Sequence, residues 1–506
     1  MTHSRRPARG RLAHGRPPLL VAAGFGAIAL AVRAFGLTRA FDLWVDEMVY
    51  ARLAASAARG ELPNLDGIPF FLHPPGSFLL NGLLIDLFGL SGTDMDLALA
   101  LRWGNAVLGA VTVALGFLLV HRVAGTGLAA CCATILAFDP FVLRNNSRLF
   151  LETPAVAVAL AGYLLLVRAV SGGGRVPTGA AVAAGLLLGC GVLTKDVTIV
   201  LAAAPIVLAV AWRKTLHIRD AAVVLAAGAV PYLVYLFVVV LDGSSGAWGR
   251  AKLDGVERMI GLTQTTGFNA PHTPNLVGRL VDQVGYFGTS YLLLAACPVA
   301  GVIAARGADA ARRLVGLCAV AMGALGVYAA AFGTFEEQYG YGVIVAGTLA
   351  LGVAAAELRD RRPGLVKAGA IALACLVLLT AALGARVETT RDDSIRAVRD
   401  WVRHHLPADA RVGVTSNTAQ WAFADDPRFG VWPSAPTLRD HGATHILTHD
   451  LITEQGYGYA KTSIITWLRA NATPLVTATG PSNGETVLWR IDPAALDEAA
   501  REGVGS

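Results

Sequence analysis

Charge is scarce in this chain: of 506 residues only 15% are Asp, Glu, Lys or Arg while 54% are hydrophobic, and the mean hydropathy is +0.54. That excludes an ordinary soluble globular protein, in which about 25% of residues are charged, and points to a polytopic membrane protein. Cysteine is scarce too. The six, Cys131, Cys132, Cys190, Cys297, Cys318 and Cys375, all lie in apolar stretches without metal-ligand spacing. This excludes a disulfide framework or zinc module and leaves small buried hydrophobes. No internal repeat is present, and no glycine-rich phosphate loop follows the first predicted strand of the polar C-terminal region, so nucleotide binding there is not expected.

What is present first is length in apolar segments. Windows long enough for about 30 Å of hydrocarbon occur near 18–38, 102–121, 125–141, 153–170, 178–193, 196–212, 220–241, 289–305, 313–332, 339–356 and 364–385, which makes eleven. A shorter run, 77–90, carries Asn81 and Asp86 and reads as juxtamembrane or re-entrant. Gly/Ala-rich runs such as Pro177–Gly191 read as close helix packing rather than hinges.

The net charge of +6 is concentrated in the first sixteen residues (Arg5, Arg6, Arg9, Arg11, Arg16) and in short loops, which suits membrane orientation rather than nucleic-acid binding. The N-terminal apolar segment reads as a retained helix rather than a cleaved signal. With a cytoplasmic N-terminus and a non-crossing 77–90, Arg122, Arg175, Arg213/Lys214/Arg219, Arg306/Arg312/Arg313 and Arg359/Arg361/Arg362/Lys367 all face the cytoplasm. The same parity puts Asp46, Glu47, His73, Glu152, Lys195, the loop 242–288 and Phe335–Tyr339 outside. The Ala, Gly and Arg bias is that of a high-GC genome, so a bacterial cell membrane is expected, and the sequon at Asn471 reads as coincidental.

Three regions follow: a cytoplasmic basic tail 1–17, a membrane domain 18–388 with a first loop 39–101 and an external loop 242–288, and an extracytoplasmic domain 389–506. In the last, an amphipathic run at 392–406, RVGVT at 411–415, TSIITWLRA at 462–470, PLVTATG and ETVLWRI alternate helix and strand, which predicts a small α/β domain. The whole is an all-α polytopic membrane protein with a C-terminal α/β domain.

The chemistry is expected just past the first membrane exit, where Asp46 and Glu47 stand side by side. An unpaired charge at the hydrocarbon edge costs several kcal/mol, so the pair is solvated, used, or simply favourable to a helix start. An enzyme working outside has no access to cytosolic nucleotide sugars, which makes a lipid-linked phosphate donor the fitting energy source. Glycosyl transfer from such a donor needs a carboxylate base and cations or a metal for the departing phosphate. Asp46 supplies the first; Lys195, Arg148 and His73 are candidates for the second. Structural readings stand beside these: Arg148 with Glu152 as an i,i+4 pair, Lys195 with Asp196 as an interfacial pair, His73 as a turn residue before Pro74-Pro75, and Trp44, Tyr50, Trp248, Tyr286 and Tyr291 as an interfacial belt.

The order Asp46-Glu47, then GELPNLDGIP at 60–69, then His73-Pro74-Pro75-Gly76 resembles the first external loop of the GT-C glycosyltransferases, above all the protein O-mannosyltransferase family and the lipid A aminoarabinose transferases. Arg148-Leu-Phe-Leu-Glu152-Thr-Pro154 and Thr194-Lys195 resemble further motifs of these families, so the resemblance covers most of 18–386. It implies a GT-C fold of about eleven spans plus a juxtamembrane helix. It also implies transfer of a hexosyl or pentosyl group, with inversion, from a polyprenyl-phosphate donor to a protein, glycolipid or polysaccharide acceptor. Asp46 takes the catalytic-base role by this resemblance; Glu47, His73 and Glu152 are supporting or acceptor-binding; Lys195, Arg148 and Tyr339 face the donor phosphate. Glu47 is left as second carboxylate, metal ligand or neighbour, with Mg or Mn at Asp46, Glu47 and His73 an open option, and the His73 cation is expected to depend on pH. Where the family shows Arg-Tyr near the last spans this chain has Gln338-Tyr339 after Glu336-Glu337, which leaves the phosphate contacts open and allows a metal bridged by the extra acids. A polysaccharide polymerase or ligase shares donor type and topology. A transporter would need mid-span ionisable groups, and a scaffold would not need the DE…HPP order.

Overall fold

The computed structural model describes residues 18–171, 175–212, 215–263, 275–332, 338–456 and 458–506. The basic tail 1–17, Arg213/Lys214, positions 264–274 of the 242–288 loop and Glu336–Glu337 lie outside the described residues. Among the described residues eight helices are long and apolar enough to cross a membrane: Pro18–Gly36, Asp94–Ala124, Glu152–Val170, Ile218–Leu241, Leu276–Ala305, Ala310–Ala331, Tyr339–Arg361 and the run Pro363–His405. Thr126–Phe138 and Pro140–Asn146 form a ninth if taken as one span bent by 61°. Thr178–Thr194 and Asp196–Ala211, shorter apolar helices, occupy the two remaining predicted windows.

Three segments differ from the predicted windows. The second span starts at Asp94 rather than 102, because Thr93 and Asp96 cap each other: the Asp96 amide donates to Thr93 Oγ1 at 3.3 Å and the Thr93 amide to Asp96 Oδ2 at 3.1 Å. The 242–288 segment is not simply a loop, since it contains the helix Ser245–Met259 and the first turns of Leu276–Ala305. The third span breaks at Asp139-Pro140, where proline cannot donate and the Asp139 carboxylate caps the new helix by accepting from the Phe141 and Val142 amides at 3.1 and 3.0 Å.

The first loop folds as a helix, Val45–Ala58, a two-stranded hairpin pairing Asn64–Leu65 with Ile68–Pro69, and a 13-residue helix, Gly76–Phe88. Asp66 and Gly67 turn the hairpin at φ 53° and 85°, the positive-φ pair that a two-residue turn of matching twist requires. Elsewhere in the membrane domain small residues let helices approach. A Cβ on Gly189 would lie 2.1 Å from the Gly228 carbonyl oxygen, so Thr178–Thr194 and Ile218–Leu241 meet almost backbone to backbone.

The C-terminal region builds a five-stranded sheet in the order Phe429–Gly430, Val412–Val414, His445–His449, Gly484–Ile491, Ala472–Gly480. The first three strands are parallel and the last two join antiparallel, with Leu447 opposite Leu488. On one face Val412, Val414, Leu447 and Leu488 share a core with the helix Ser394–His405 and with Leu43, Met48 and Tyr50 of the first loop. The other packs Ile446, Val487 and Trp489 on the helices Thr462–Asn471 and Pro493–Arg501. Burying each such side chain is worth about 1.5–3 kcal/mol, so the domain is fastened onto the first loop rather than tethered beside it.

Candidate active site

The two adjacent carboxylates of the first loop point to different environments, because consecutive helical residues are about 100° apart. Glu47 is fully buried. Its carboxylate accepts from Arg102 Nε and Nη2, both at 2.7 Å, from the Trp44 amide at 3.1 Å and from the Leu149 amide at 2.9 Å. Arg102, also buried, donates further to the carbonyls of Leu37 and Phe41 at 2.9 and 2.8 Å. Glu47 is therefore the fastening of the loop: one carboxylate ties the end of the first span, the start of the acidic helix and the Arg148 segment together. Asp46 borders a large cavity instead, and Gln338 Nε2 donates to its Oδ2 at 3.1 Å.

The bend at Asp139 delivers Arg144 and Arg148 to the same cavity. After Asn146 the chain leaves the helix, and Asn105 Nδ2 holds the carbonyls of Arg148 and Phe150 at 2.6 and 2.8 Å. The Arg148 guanidinium lies 6.0 Å from the Trp44 ring, and its Nη2 donates to Ser482 Oγ at 2.9 Å. Burial, with Arg144 adding to it, lowers the Arg148 pKa to about 10, which leaves it a cation at neutral pH.

Arg148 and Glu152 are not each other's partners. Glu152 pairs with Lys195 at 3.1 Å, both almost fully buried. Nor does Lys195 pair with Asp196, which is taken by Lys252 Nζ at 2.7 Å and by the Tyr232 hydroxyl at 2.9 Å. Lys252 also donates to the Leu72 carbonyl at 3.2 Å, beside His73. Burial, with Lys195, Lys252 and Arg258 adding positive field, holds His73 well below the ordinary imidazole range. It is neutral, packed edge-on to Tyr50 and Phe70 at 5.9 and 6.0 Å between ring centres, so the expected pH-dependent cation is corrected to a neutral ring. The option of an ion at Asp46, Glu47 and His73 does not fit this geometry. Both Glu47 oxygens are held by Arg102, and among the described residues no three His, Cys, Asp or Glu side chains gather to hold a metal.

The cavity, about 1540 Å³, brings Asp46, His73, Arg148, Lys195 and Tyr339 to one space, while Glu47 and Glu152 stand behind its wall. Sequence reasoning missed Arg144, Lys252 and Arg258, which border it too, as does Gln338, noted in the sequence only as a departure from the family's Arg. Arg144 had a signal, one helical turn before Arg148; Lys252 and Arg258 sat in a segment read as a loop. Trp44, Tyr50, Trp248 and Tyr286, read as an interfacial belt, border the cavity; Tyr291 instead donates to Gln283 at 3.2 Å. The rest of the lining divides. Leu188, Val192, Val224, Leu225 and Leu233 form an apolar side between two membrane helices, and Ser416, Asn417, Thr418, Gln455 and Tyr459 come from the C-terminal domain.

A model of the dolichyl-phosphate-mannose-protein mannosyltransferase family matches residues 88–241, a segment that includes Arg148, Glu152 and Lys195 but not Asp46. No curated protein matches the sequence. Among solved structures, ArnT from Cupriavidus metallidurans bound to undecaprenyl phosphate aligns over 93% of this chain and 98% of that one, with a TM-score of 0.54 at 16% identity. The oligosaccharyltransferase AglB from Archaeoglobus fulgidus, in complex with an inhibitory peptide and a dolichol-phosphate, aligns over 93% and 74%, with a TM-score of 0.57 at 12% identity. The chain is thus a multi-pass membrane protein with the GT-C fold, and it is similar to the protein mannosyltransferases over the segment that carries its buried Arg148 and its Glu152–Lys195 pair.

Proposed function

We propose that the protein transfers a sugar from a polyprenyl-phosphate donor to an extracytoplasmic hydroxyl acceptor. The observation that carries this reading is the make-up of one cavity: a carboxylate, Asp46, shares it with the cations Lys195, Lys252, Arg258, Arg144 and Arg148, and an apolar side runs off between membrane helices. That division matches a lipid phosphate, whose head needs cations and whose chain needs hydrocarbon. It is also what the matched solved structures contain, undecaprenyl phosphate in one and dolichol-phosphate in the other.

In this reading Asp46 takes the acceptor hydroxyl proton as the oxygen attacks the anomeric carbon. The bond from that carbon to the phosphate oxygen breaks on the opposite side, and the configuration inverts. Lys195 and Arg148, with the Tyr339 hydroxyl, meet the charge on the departing phosphate. Glu152 keeps Lys195 oriented, and Gln338 orients Asp46. Neutral His73 offers a hydrogen bond without adding charge. In this reading the first loop lies outside, which the positive-inside pattern supports, and the C-terminal sheet, which shares a core with that loop, lies there too.

Purified protein and Asp46→Asn assayed with radiolabelled polyprenyl-phosphate sugars test the reading. Loss of about 10²–10⁴-fold in transfer is expected for the variant. Equal activity would remove Asp46 from its role, and no transfer by the native protein from any monosaccharide or oligosaccharide lipid donor would overturn the enzyme reading. A topology reporter fused after residue 390 that works only in the cytoplasm would overturn the sidedness.

A further inference from the structure

The two longest strands of the C-terminal sheet, Ala472–Gly480 and Gly484–Ile491, are joined by a turn whose Pro481 and Ser482 border the cavity. This turn is locked onto the membrane domain. Ser482 donates through its amide and its hydroxyl to the Asp392 carboxylate at 3.1 and 2.6 Å, and Asn483 Nδ2 donates to Asp42 Oδ2 at 2.7 Å. Asp392 in turn accepts the Asp42 amide at 3.2 Å and donates its own amide to the Arg39 carbonyl at 2.6 Å. There is no slack at the strand end: a Cβ on Gly480 would lie 2.4 Å from Asp392 Oδ1.

A serine hydroxyl has one proton. Because Asp392 takes it, the Ser482 oxygen faces Arg148 as an acceptor only, and Arg148 Nη2 donates to it at 2.9 Å. Arg148 is fully buried, and its Nε and Nη1 have no hydrogen-bond partner among the described residues. Leaving donors of a buried cation unused is costly, and an anion arriving in the cavity is the group that would use them. We propose that Ser482, a residue of the C-terminal domain, is a positioning residue for phosphate binding: it fixes one edge of the Arg148 guanidinium so that the remaining donors are preset for the lipid phosphate. The domain is then part of the donor site rather than an appendage. This rests on the reading that Arg148 binds the donor phosphate.

The test is binding of undecaprenyl phosphate to the purified full-length protein in detergent by titration calorimetry, with melting temperatures measured alongside. Arg148→Ala should weaken Kd by about 10- to 100-fold, the size of a charge-assisted bond. Ser482→Ala should weaken it by about 3- to 10-fold, and Ser482→Thr, which keeps the hydroxyl, should restore it to within about 2-fold. Adding Ser482→Ala to Arg148→Ala should cost nothing further, because the two act through one contact. A Ser482→Ala protein that melts lower yet binds as the native one does, or losses that add in the double variant, would make Ser482 a latch between domains and overturn the proposal. Native binding by Arg148→Ala would instead sink the phosphate role of Arg148 on which it rests.

Discussion

Arg102 grips Glu47 through two hydrogen bonds of 2.7 Å, with both side chains buried and the Leu149 amide drawn onto the same carboxylate at 2.9 Å. Two neighbouring acids in the sequence thus have opposite duties. Glu47 builds the site, and Asp46 faces into it.

Glu47→Gln should behave as a folding variant. It leaves the Arg102 charge buried without its counter-ion, a loss of about 3–5 kcal/mol, while Asp46→Asn at the cavity wall should melt within a few degrees of the native protein. Thermal unfolding of the two purified variants in detergent checks this, and a native melting temperature for Glu47→Gln would refute the fastening role.

The Lys195–Glu152 pair allows stability and turnover to be separated. Lys195→Met strands a buried carboxylate and should destabilise by about 3–5 kcal/mol. Adding Glu152→Gln removes the stranded charge and should restore the melting temperature, whereas sugar transfer should remain at least about 10-fold down because the phosphate has lost its lysine. Recovery of transfer in the double variant would show that Lys195 serves the fold alone.

Gly189→Ala places a methyl 2.1 Å from the Gly228 carbonyl, which forces the two helices apart. Overpacking of this kind costs about 1–3 kcal/mol. The same helices supply Leu188, Val192, Val224 and Leu225 to the apolar side of the cavity, so affinity for undecaprenyl phosphate should fall along with the melting temperature. Unchanged values for both would mean that the helices can separate freely.

Stability should also fall in mild acid through His449. Its ring is buried in the C-terminal sheet, with Nδ1 2.9 Å from Thr486 Oγ1, and burial lowers its pKa to about 4 from an ordinary 6.5. The unfolded chain therefore binds this proton first as pH drops from 6.5 towards 4, and the folded state loses about 2 kcal/mol from this group by pH 5. His73, also held low, acts in the same direction. Melting curves at pH 7 and pH 5 for the native protein and His449→Gln check it: the variant should have the shallower pH dependence.

The membrane helices were legible because hydrophobic length is a local property, but their ends were less so: the second span begins at Asp94, where Thr93 and Asp96 cap each other, and not at 102. The C-terminal strands were legible by alternation, and Val412–Val414, Ala472–Gly480 and Gly484–Ile491 formed where expected. The helix Ser245–Met259 was not. Its glycines Gly246, Gly249 and Gly255 and its many charged residues hid it, and it was read as part of a loop although it carries Lys252 and Arg258 to the cavity.

Residue identity and spacing by themselves determined that this is a membrane chain, and they singled out Asp46, His73, Arg148 and Lys195 as candidates, which the fold sets around one cavity. Pairing was decided only in three dimensions. Arg148 sits four residues before Glu152 yet reaches Ser482, Glu152 reaches Lys195, and Asp196 takes Lys252 rather than its neighbour. The physical reason is that a charge near hydrocarbon needs a partner whose geometry excludes water, and which partner that is depends on how helices far apart in sequence are packed. The same packing turned Glu47 inward onto Arg102 and left Asp46 facing the cavity.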